Sequence, residues 1–226
     1  MSELGSGIRS NPRRKMGPVS PTEGVSRLRP VAVAITGGIG AGKTEALSAF
    51  ARHGAATISS DDIVHRLLRE DDDVRRALLE RFGTGILDDA GHIDRAAISR
   101  IVFDDREALA WLEALLHPRV VAEYLAWREA LAALPDPPAV SATEVPLLYE
   151  VGGDERFDAV VAITAPEDLR RERSPVSSPE QRERRLIPDE EKAARADFSY
   201  VNDGTRRELD EFVAETMRAL EARQPA

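Results

Sequence analysis

Eight residues near the start of the chain combine closely spaced glycines with one lysine and one threonine. In GGIGAGKT, residues 37–44, Gly37 precedes Gly42, Lys43 and Thr44 at the spacing G-x-x-x-x-G-K-T. Glycines at this spacing let successive backbone N–H groups converge on phosphate oxygens without obstruction by a Cβ atom. The lysine would place its ammonium beside the β- and γ-phosphates, and the threonine hydroxyl is a natural magnesium ligand. The segment therefore predicts a site for a nucleoside triphosphate and Mg²⁺.

The elements around this segment decide whether the pattern is more than a chance glycine-rich turn. The apolar run VAVAITG precedes it, and the apolar spacing from Thr44 to His53 indicates a helix that ends at Gly54. A strand, a glycine-rich turn and a helix in this order form the setting in which the pattern binds phosphate. The residues expected to bind the nucleotide are Gly38, Gly40, Ala41, Gly42, Lys43, Thr44 and Glu45.

A carboxylate follows the next strand. The short run AATIS predicts a second strand, and Asp61 comes directly after it. In a doubly wound sheet ligands gather at the carboxyl ends of strands, so Asp61 could accept a hydroxyl proton or order the magnesium shell. The alternative is that Ser60, Asp61 and Asp62 simply cap and start a helix, a role compatible with catalysis.

The order of strands and helices predicts an α/β fold with a helical insertion. Helical periodicity is continuous from Asp71 to Leu134, and strand patterns resume only at AVSATEV and DAVVAITA. Their near-continuous apolar residues indicate buried parallel strands. FSYVNDGT predicts a last strand and turn, followed by an amphipathic helix to about Leu220.

Composition excludes several classes of protein. The 226 residues include no cysteine, and the four histidines form no close metal-ligand pattern. The formal net charge of −9 argues against a protein that mainly binds nucleic acid. Apolar runs are far shorter than the roughly 20 residues of a membrane span. Residues 1–28 lack the apolar core of a secretory signal, so we expect a flexible tail, and NPRRK within it is better explained as solvated than as a nucleic-acid contact.

Several separate segments together resemble the dephospho-coenzyme A kinase family, from about Val31 to Leu220. ITGGIGAGKT is similar to its signature loop, and DDAGHIDRAAISRIVFDDREALAWLEALLHPRV to its block ending in His-Pro. EVPLLYE and EEKAARADFSYVNDGT follow in the family's order. The resemblance implies a P-loop NTPase fold, a three-layer αβα sandwich with a parallel sheet, a helical substrate-binding insertion and a lid. It also implies phosphorylation of the ribose 3′-hydroxyl of dephospho-CoA by ATP with Mg²⁺.

The resemblance assigns roles at the second strand and the loop. The second aspartate of the family's Asp-x-Asp element, its favoured catalytic residue, falls on Asp61, and the first falls on Ser59. A serine hydroxyl is far too weakly basic to replace a carboxylate, so either that position is dispensable or Asp62 contributes. Glu45 stands where the family commonly has a hydroxyl residue, so its charge would have to point away from the phosphates.

Acceptor residues are implied in the helical block and after the third strand. His117 and Pro118 match the family's His-Pro, and His117 is either a structural residue or part of the coenzyme pocket. Glu144 matches the acidic residue before Pro-Leu-Leu-x-Glu, where it could bind substrate or steady magnesium-bound water.

Arginines around SPVSSPEQ resemble a lid that brings guanidinium groups onto the transferring phosphate, whose charge spreads over its equatorial oxygens. The alternative is a solvated helix face, and the best-aligned pair is Arg173 and Arg182. Near the adenine, the turn VNDGT contributes Asn202 and Gly204 as candidates.

The resulting hypothesis is a cytoplasmic kinase. Its expected parts are a tail over 1–29, a nucleotide-binding core over 30–65 and 135–222, a helical acceptor domain over 66–134 and a lid over 170–192. We expect a monomer with dephospho-CoA as small-molecule partner and without nucleic acid or membrane. Two other functions remain open: a P-loop kinase for another hydroxyl or nucleotide acceptor, and a non-catalytic nucleotide-binding regulator.

Overall fold

A five-stranded sheet contains each strand predicted from the sequence. The computed structural model describes residues 29–173 and 186–222. The strands are β1 Val31–Thr36, β2 Ala56–Ser59, β3 Val140–Glu144, β4 Ala159–Thr164 and β5 Phe198–Val201. Their order is β2-β3-β1-β4-β5, and β1 pairs in parallel with both β3 and β4, as β4 does with β5. The predicted α/β fold with a parallel sheet is confirmed.

Helices account for most of the remaining described residues. They are α1 Lys43–Arg52, α2 Ser60–Glu70, α3 Asp72–Phe82, α4 Arg95–Asp104, α5 Arg106–Ala132, α6 Glu167–Arg173, α7 Asp189–Arg195 and α8 Arg206–Glu221. Two short 3₁₀ helices cover Thr84–Ile86 and Asp154–Arg156. None of the helices over the described residues combines the length and apolarity that a bilayer crossing needs.

The chain divides into two compact units, residues 59–127 and the remainder. In the sheet unit, alternate residues of β1 and β4 point to one face and pack with α1 and α8, because side chains along a strand alternate between faces. Phe50 of α1 is fully buried there, and Tyr200 stacks on Phe212 with ring centroids 4.9 Å apart. This core holds β1 and α1, and therefore both ends of the loop between them.

The unit 59–127 has its own apolar core. Leu68, Val74, Leu78, Ile86, Ile98 and Leu116 form its buried cluster. Phe82 meets Trp111 edge to face at 5.4 Å, which aromatic quadrupoles favour. Periodic apolar residues thus bury one face of each helix, as the sequence pattern predicts.

The N-cap of α2 differs from the residue expected. Ser59, with β-region dihedrals, accepts the Asp61 backbone N–H on its hydroxyl at 3.2 Å, and Ser60 is already the first helical residue. The prediction of Ser60 as cap is therefore wrong by one residue, because the chain leaves the extended conformation one residue earlier than the pattern suggested. Serine and aspartate are both favoured N-caps, so Ser59 can serve the capping part of an aspartate's role.

Aspartates fix the starts of two strands. Asp158, just before β4, accepts the Ala32 N–H on its carboxylate at 2.8 Å while its own N–H donates to the Ala32 carbonyl. Asp197, just before β5, makes the same pair of bonds with Val160. Each carboxylate therefore satisfies a strand-start amide that would otherwise lack a ladder partner.

Candidate active site

The phosphate loop, residues 37–44, lies where strand order changes direction. It joins the end of β1 to α1, and β1 is flanked by β3 and β4. Ligands of open α/β sheets bind outside the carboxyl ends of the strands at such a point. The first amides of α1 add the positive end of its dipole, and glycine at the preceding position, Gly42, offers no side chain to cap them.

Asn202 holds the loop from the end of β5. Its amide nitrogen donates to the Ala41 carbonyl at 2.9 Å. Gly42 has φ +99°, and a Cβ there would lie 2.2 Å from the Asn202 nitrogen. Both the backbone angle and the close contact require glycine at this position. Asn202, predicted as a nucleotide-binding residue, therefore contacts the loop itself.

Lys43 lies along the loop. Its ammonium is buried and donates to the Gly38 carbonyl at 2.8 Å. A cation held by the backbone of the loop is positioned to meet an anion bound by the neighbouring amides. The predicted loop residues Gly38, Gly40, Ala41, Gly42, Lys43 and Thr44 thus lie together between β1 and the first turn of α1.

Thr44 and Glu144 meet although they are distant in sequence. The Thr44 hydroxyl lies 3.3 and 3.4 Å from the two Glu144 carboxylate oxygens. Glu144 is the last residue of β3, is paired in register with Ile35 of β1, and is only 4% exposed. A hydroxyl and a carboxylate here are hard oxygen donors of the kind that hold Mg²⁺ with several waters. Among residues 29–173 and 186–222, no three histidine or acidic side chains cluster as a metal cage.

Glu45 directs its charge along α1. Its carboxylate lies 3.3 Å from Arg52 Nη2, two turns further along the helix, and 3.8 Å from Arg206 Nε of α8. Arg52 also contacts Asp210 at 2.7 Å. The arginines neutralise this carboxylate, so the departure from the family's hydroxyl at this position has a structural explanation.

Two of the predicted acceptor residues, Asp61 and His117, lie in the unit 59–127, whereas Glu144 belongs to the sheet unit. Asp61 is in the first turn of α2, exposed, with its amide bonded to Ser59. His117 is half-buried within α5, which continues through Pro118 from residue 106 to 132. These two residues therefore belong to a different unit from the loop residues.

The remaining predicted residues have separate placements. Arg173, the last residue of α6, donates to the Asn202 carbonyl at 2.9 Å, so it reaches the strand end that holds the loop. Arg182 lies outside the described residues. Gly204 has a local role, because a Cβ there would lie 2.2 Å from the Glu208 carboxylate. Glu208 forms a capping box with Thr205 at the start of α8.

Two ionic contacts near the loop escape sequence reasoning. Lys192 is fully buried, and its ammonium contacts Glu150 at 2.8 Å and the Pro146 carbonyl at 3.3 Å. Asp189 lies against the loop beside Arg170, with 3.9 Å between Oδ2 and Nη1. In the sequence, IPDEEKAAR has the composition of an exposed acidic helix start. Such a charge pattern does not distinguish buried from exposed side chains.

Comparison with known proteins matches the sequence to one family. The sequence model of the dephospho-CoA kinase family matches residues 31–208. A dephospho-CoA kinase from Chlamydia pneumoniae is 36% identical over 202 residues, covering 85% of this chain and 98% of that protein. One from Brucella melitensis is 34% identical, covering 87% and 98%.

Solved structures agree with the sequence relatives. The crystal structure of TT1252 from Thermus thermophilus has a TM-score of 0.68 and 29% identity, over 87% of this chain and 100% of that one. Dephospho-CoA kinase from Campylobacter jejuni has a TM-score of 0.59 and 26% identity, over 84% and 96%. With the phosphate loop, the Thr44–Glu144 contact and matches over most of its length, the chain belongs to the dephospho-CoA kinase family.

Proposed function

We propose that this protein transfers the γ-phosphoryl group of ATP to the ribose 3′-hydroxyl of dephospho-CoA, giving coenzyme A and ADP, the last step of coenzyme A biosynthesis. The observation that carries the proposal is the contact of Thr44 with Glu144 beside a loop that also holds the buried Lys43 ammonium. Hydroxyl, carboxylate and ammonium are the groups that phosphoryl transfer requires around a triphosphate.

The loop residues would bind and orient ATP. The backbone N–H groups from Gly38 to Glu45 would donate hydrogen bonds to the phosphate oxygens, and Lys43 would exchange its bond to the Gly38 carbonyl for the β- and γ-phosphates. This step needs little movement because the ammonium already lies on the loop. Asn202 would keep the Ala41 turn in place while the nucleotide binds.

Thr44 and Glu144 fit a magnesium ion. Thr44 would ligate it directly, and Glu144 would hold one of its waters, which suits the reluctance of Mg²⁺ to dehydrate. The ion supplies charge neutralisation on the β- and γ-phosphates. Because Glu144 is buried on a paired strand, its carboxylate is fixed before the ion arrives.

Asp61 would orient the acceptor hydroxyl and accept its proton as the new O–P bond forms. Asp61 lies exposed in the first turn of α2, and its capping partner Ser59 bonds its backbone amide rather than its carboxylate. We assign His117 to the pocket for the coenzyme and the helical residues 66–134 to acceptor binding. Arg173 and Arg182 would stabilise charge on the transferring phosphoryl group, with residues 170–192 as the lid.

The remaining expectations concern binding partners, oligomeric state and cellular location. A formal net charge of −9 disfavours nucleic acid as a partner. We propose a monomeric enzyme that works in the cytoplasm, independent of membranes.

The test is ADP release measured by a coupled assay with dephospho-CoA and magnesium. We expect turnover, and we expect it to exceed that with other hydroxyl or nucleoside monophosphate acceptors. Lys43→Ala should abolish it in a folded protein. Saturable binding of ATP and dephospho-CoA without ADP formation would contradict the proposal and favour a regulator.

Asp61 is tested separately with a matched neighbour. Asp61→Asn should lower kcat by about 10²-fold or more, the usual contribution of a general base. Asp62→Asn changes the same charge one residue further along an exposed helix start and should retain most activity. Equal losses in both variants would remove the assignment of Asp61 as base.

A further inference from the structure

Two charged side chains approach the phosphate loop at Gly38. A Cβ at this residue would lie 2.7 and 2.8 Å from the two carboxylate oxygens of Asp189, and 2.8 Å from Arg170 Nη1. Asp189 is the first residue of α7 and Arg170 belongs to α6, so the contact joins three parts of the sheet unit. A side chain at residue 38 would therefore displace the ends of both charged groups from the loop.

Asp189 is held in a cationic environment on the loop. Its carboxylate lies against the Gly38 backbone, and the nearby cations are Arg170, Lys192 and Lys43. The side chains of Asp189 and Arg170 are only 19% and 16% exposed. Oδ2 of Asp189 is buried and has no hydrogen-bond donor within the part of the chain that the structure describes.

The environment does not fully compensate the charge of this carboxylate. Burial raises the pKa of Asp189 above its ordinary value, although the three cations and the Gly38 N–H act to lower it. An ionised carboxylate at this position therefore carries a net desolvation cost. A side chain that merely braced the loop would be better served by a neutral amide of the same shape.

We propose that Asp189 is an affinity-determining residue of the nucleotide site, whose carboxylate competes with the terminal phosphate of the bound nucleotide for Arg170 and Lys43. The inference rests on the proposed function only in assuming that the loop binds a nucleoside triphosphate. Lys43 is the phosphate-binding lysine of the loop, and the Asp189 carboxylate already interacts with it electrostatically. Because like charges in a partly buried site repel strongly, the Asp189 carboxylate weakens binding of the terminal phosphate.

The competition has a consequence that distinguishes nucleotides. Repulsion from Asp189 grows with the charge brought toward Lys43, so it should weaken ATP more than ADP. Removal of the charge should therefore tighten both nucleotides but improve ATP more. A structural brace predicts the opposite, since its loss would loosen the loop and weaken both.

The test is calorimetric measurement of Kd for ATP and ADP at fixed magnesium, with full-length wild type, Asp189→Asn and Glu190→Gln. Asparagine keeps nearly the same side-chain shape and removes the charge. We expect Asp189→Asn to tighten ATP by about tenfold, the order expected for one partly screened charge, and ADP by less. Glu190→Gln removes the same charge from the adjacent exposed residue of α7 and should change neither Kd by more than about twofold.

Unchanged or weaker ATP binding by folded Asp189→Asn would overturn the inference, as would equal tightening in Glu190→Gln. Circular dichroism checks the fold, and Asp189→Ser, which also removes the charge, replaces the asparagine variant if that protein is unstable. The titration contains no dephospho-CoA. Failure of the acceptor assay would thus contradict the proposed function without affecting this comparison, and an unchanged Kd would contradict the inference alone.

Discussion

The side-chain amide of Asn202 donates a 2.9 Å hydrogen bond to the carbonyl of Ala41, so the end of the last strand holds the phosphate loop. The Asn202 carbonyl in turn accepts Arg173 Nη1 at 2.9 Å. One residue therefore links the loop to both β5 and α6. The first prediction follows from this link.

Asn202→Ala should raise the KM for ATP more than it lowers kcat, because it loosens the loop without removing a group that contacts the phosphates. Loss of the buried bond should also cost about 1–2 kcal/mol of unfolding free energy. Asn202→Asp has the same shape but places a charge beside the loop, so its KM should rise further. Steady-state kinetics with varied ATP checks the order, and equal KM values for all three proteins would refute it.

Lys192 and Glu150 form a buried ion pair whose disruption should destabilise the protein strongly. Lys192→Met leaves the Glu150 carboxylate without its ammonium and should cost about 3–5 kcal/mol, the usual cost of an uncompensated buried charge. Adding Glu150→Gln should recover part of that loss. Urea unfolding followed by circular dichroism measures both.

An exposed ion pair provides the control for Lys192. Arg207→Met removes one partner of the Arg207–Glu211 pair of α8 and should cost less than about 0.5 kcal/mol. Additive effects of Lys192→Met and Glu150→Gln would show that the two buried side chains do not interact.

Protonation of the Asp158 carboxylate should destabilise the protein in acid. Its carboxylate accepts hydrogen bonds from the Arg29 guanidinium at 2.6 and 2.8 Å and from the Ala32 N–H at 2.8 Å. Burial acts to raise the pKa of its carboxyl, but Arg29 and the Ala32 N–H outweigh burial and hold the pKa below its ordinary value. A lowered pKa means that the contribution to stability is complete above about pH 4, the ordinary aspartate value, and is lost as pH falls through the lowered pKa.

Asp158→Asn tests this contribution. It should lower the unfolding free energy at neutral pH by roughly 2 kcal/mol, as expected for charge-assisted hydrogen bonds. The difference from wild type should shrink as the pH is lowered below about 4. Urea unfolding at a series of pH values measures it, and a difference that stays constant down to pH 3 would count against the argument.

Ser59 should act mainly as the cap of α2. Ser59→Ala should lower the stability of the unit 59–127 by about 1 kcal/mol, whereas Ser59→Asp should keep or improve it because aspartate caps equally well. Both tryptophans, Trp111 and Trp127, lie in this unit, so their fluorescence reports its unfolding. Equal stability of the alanine and serine proteins would show that the cap contributes nothing.

Local patterns predicted the strands and the phosphate loop because the information lies within a few residues. The spacing from Gly37 to Thr44 and the apolar run before it specify a strand, turn and helix without reference to the rest of the chain. The Ser59 cap was missed by one residue because Ser59 and Ser60 are chemically equivalent. Only the backbone angle at which the strand ends decides between them.

Contacts between distant segments could not be predicted from such patterns. Glu144 was assigned from family resemblance, whereas its contact with Thr44 depends on the register of β3 with β1. Lys192 and Asp189 belong to a highly charged segment that resembles an exposed helix. Their burial arises from packing of α7 against β4 and β5, which charge patterning does not encode.

The strand order has a consequence for how the protein is synthesised. β1 leaves the ribosome well before its partner β3, which begins at Val140, and the bond that restrains the Ala41 turn forms only once Asn202 has been added. Long-range parallel pairings form slowly because a large chain loop must close first. During translation the loop sequence is therefore present long before it can hold a phosphate, and a nascent chain acquires nucleotide affinity only after Asn202 has been added.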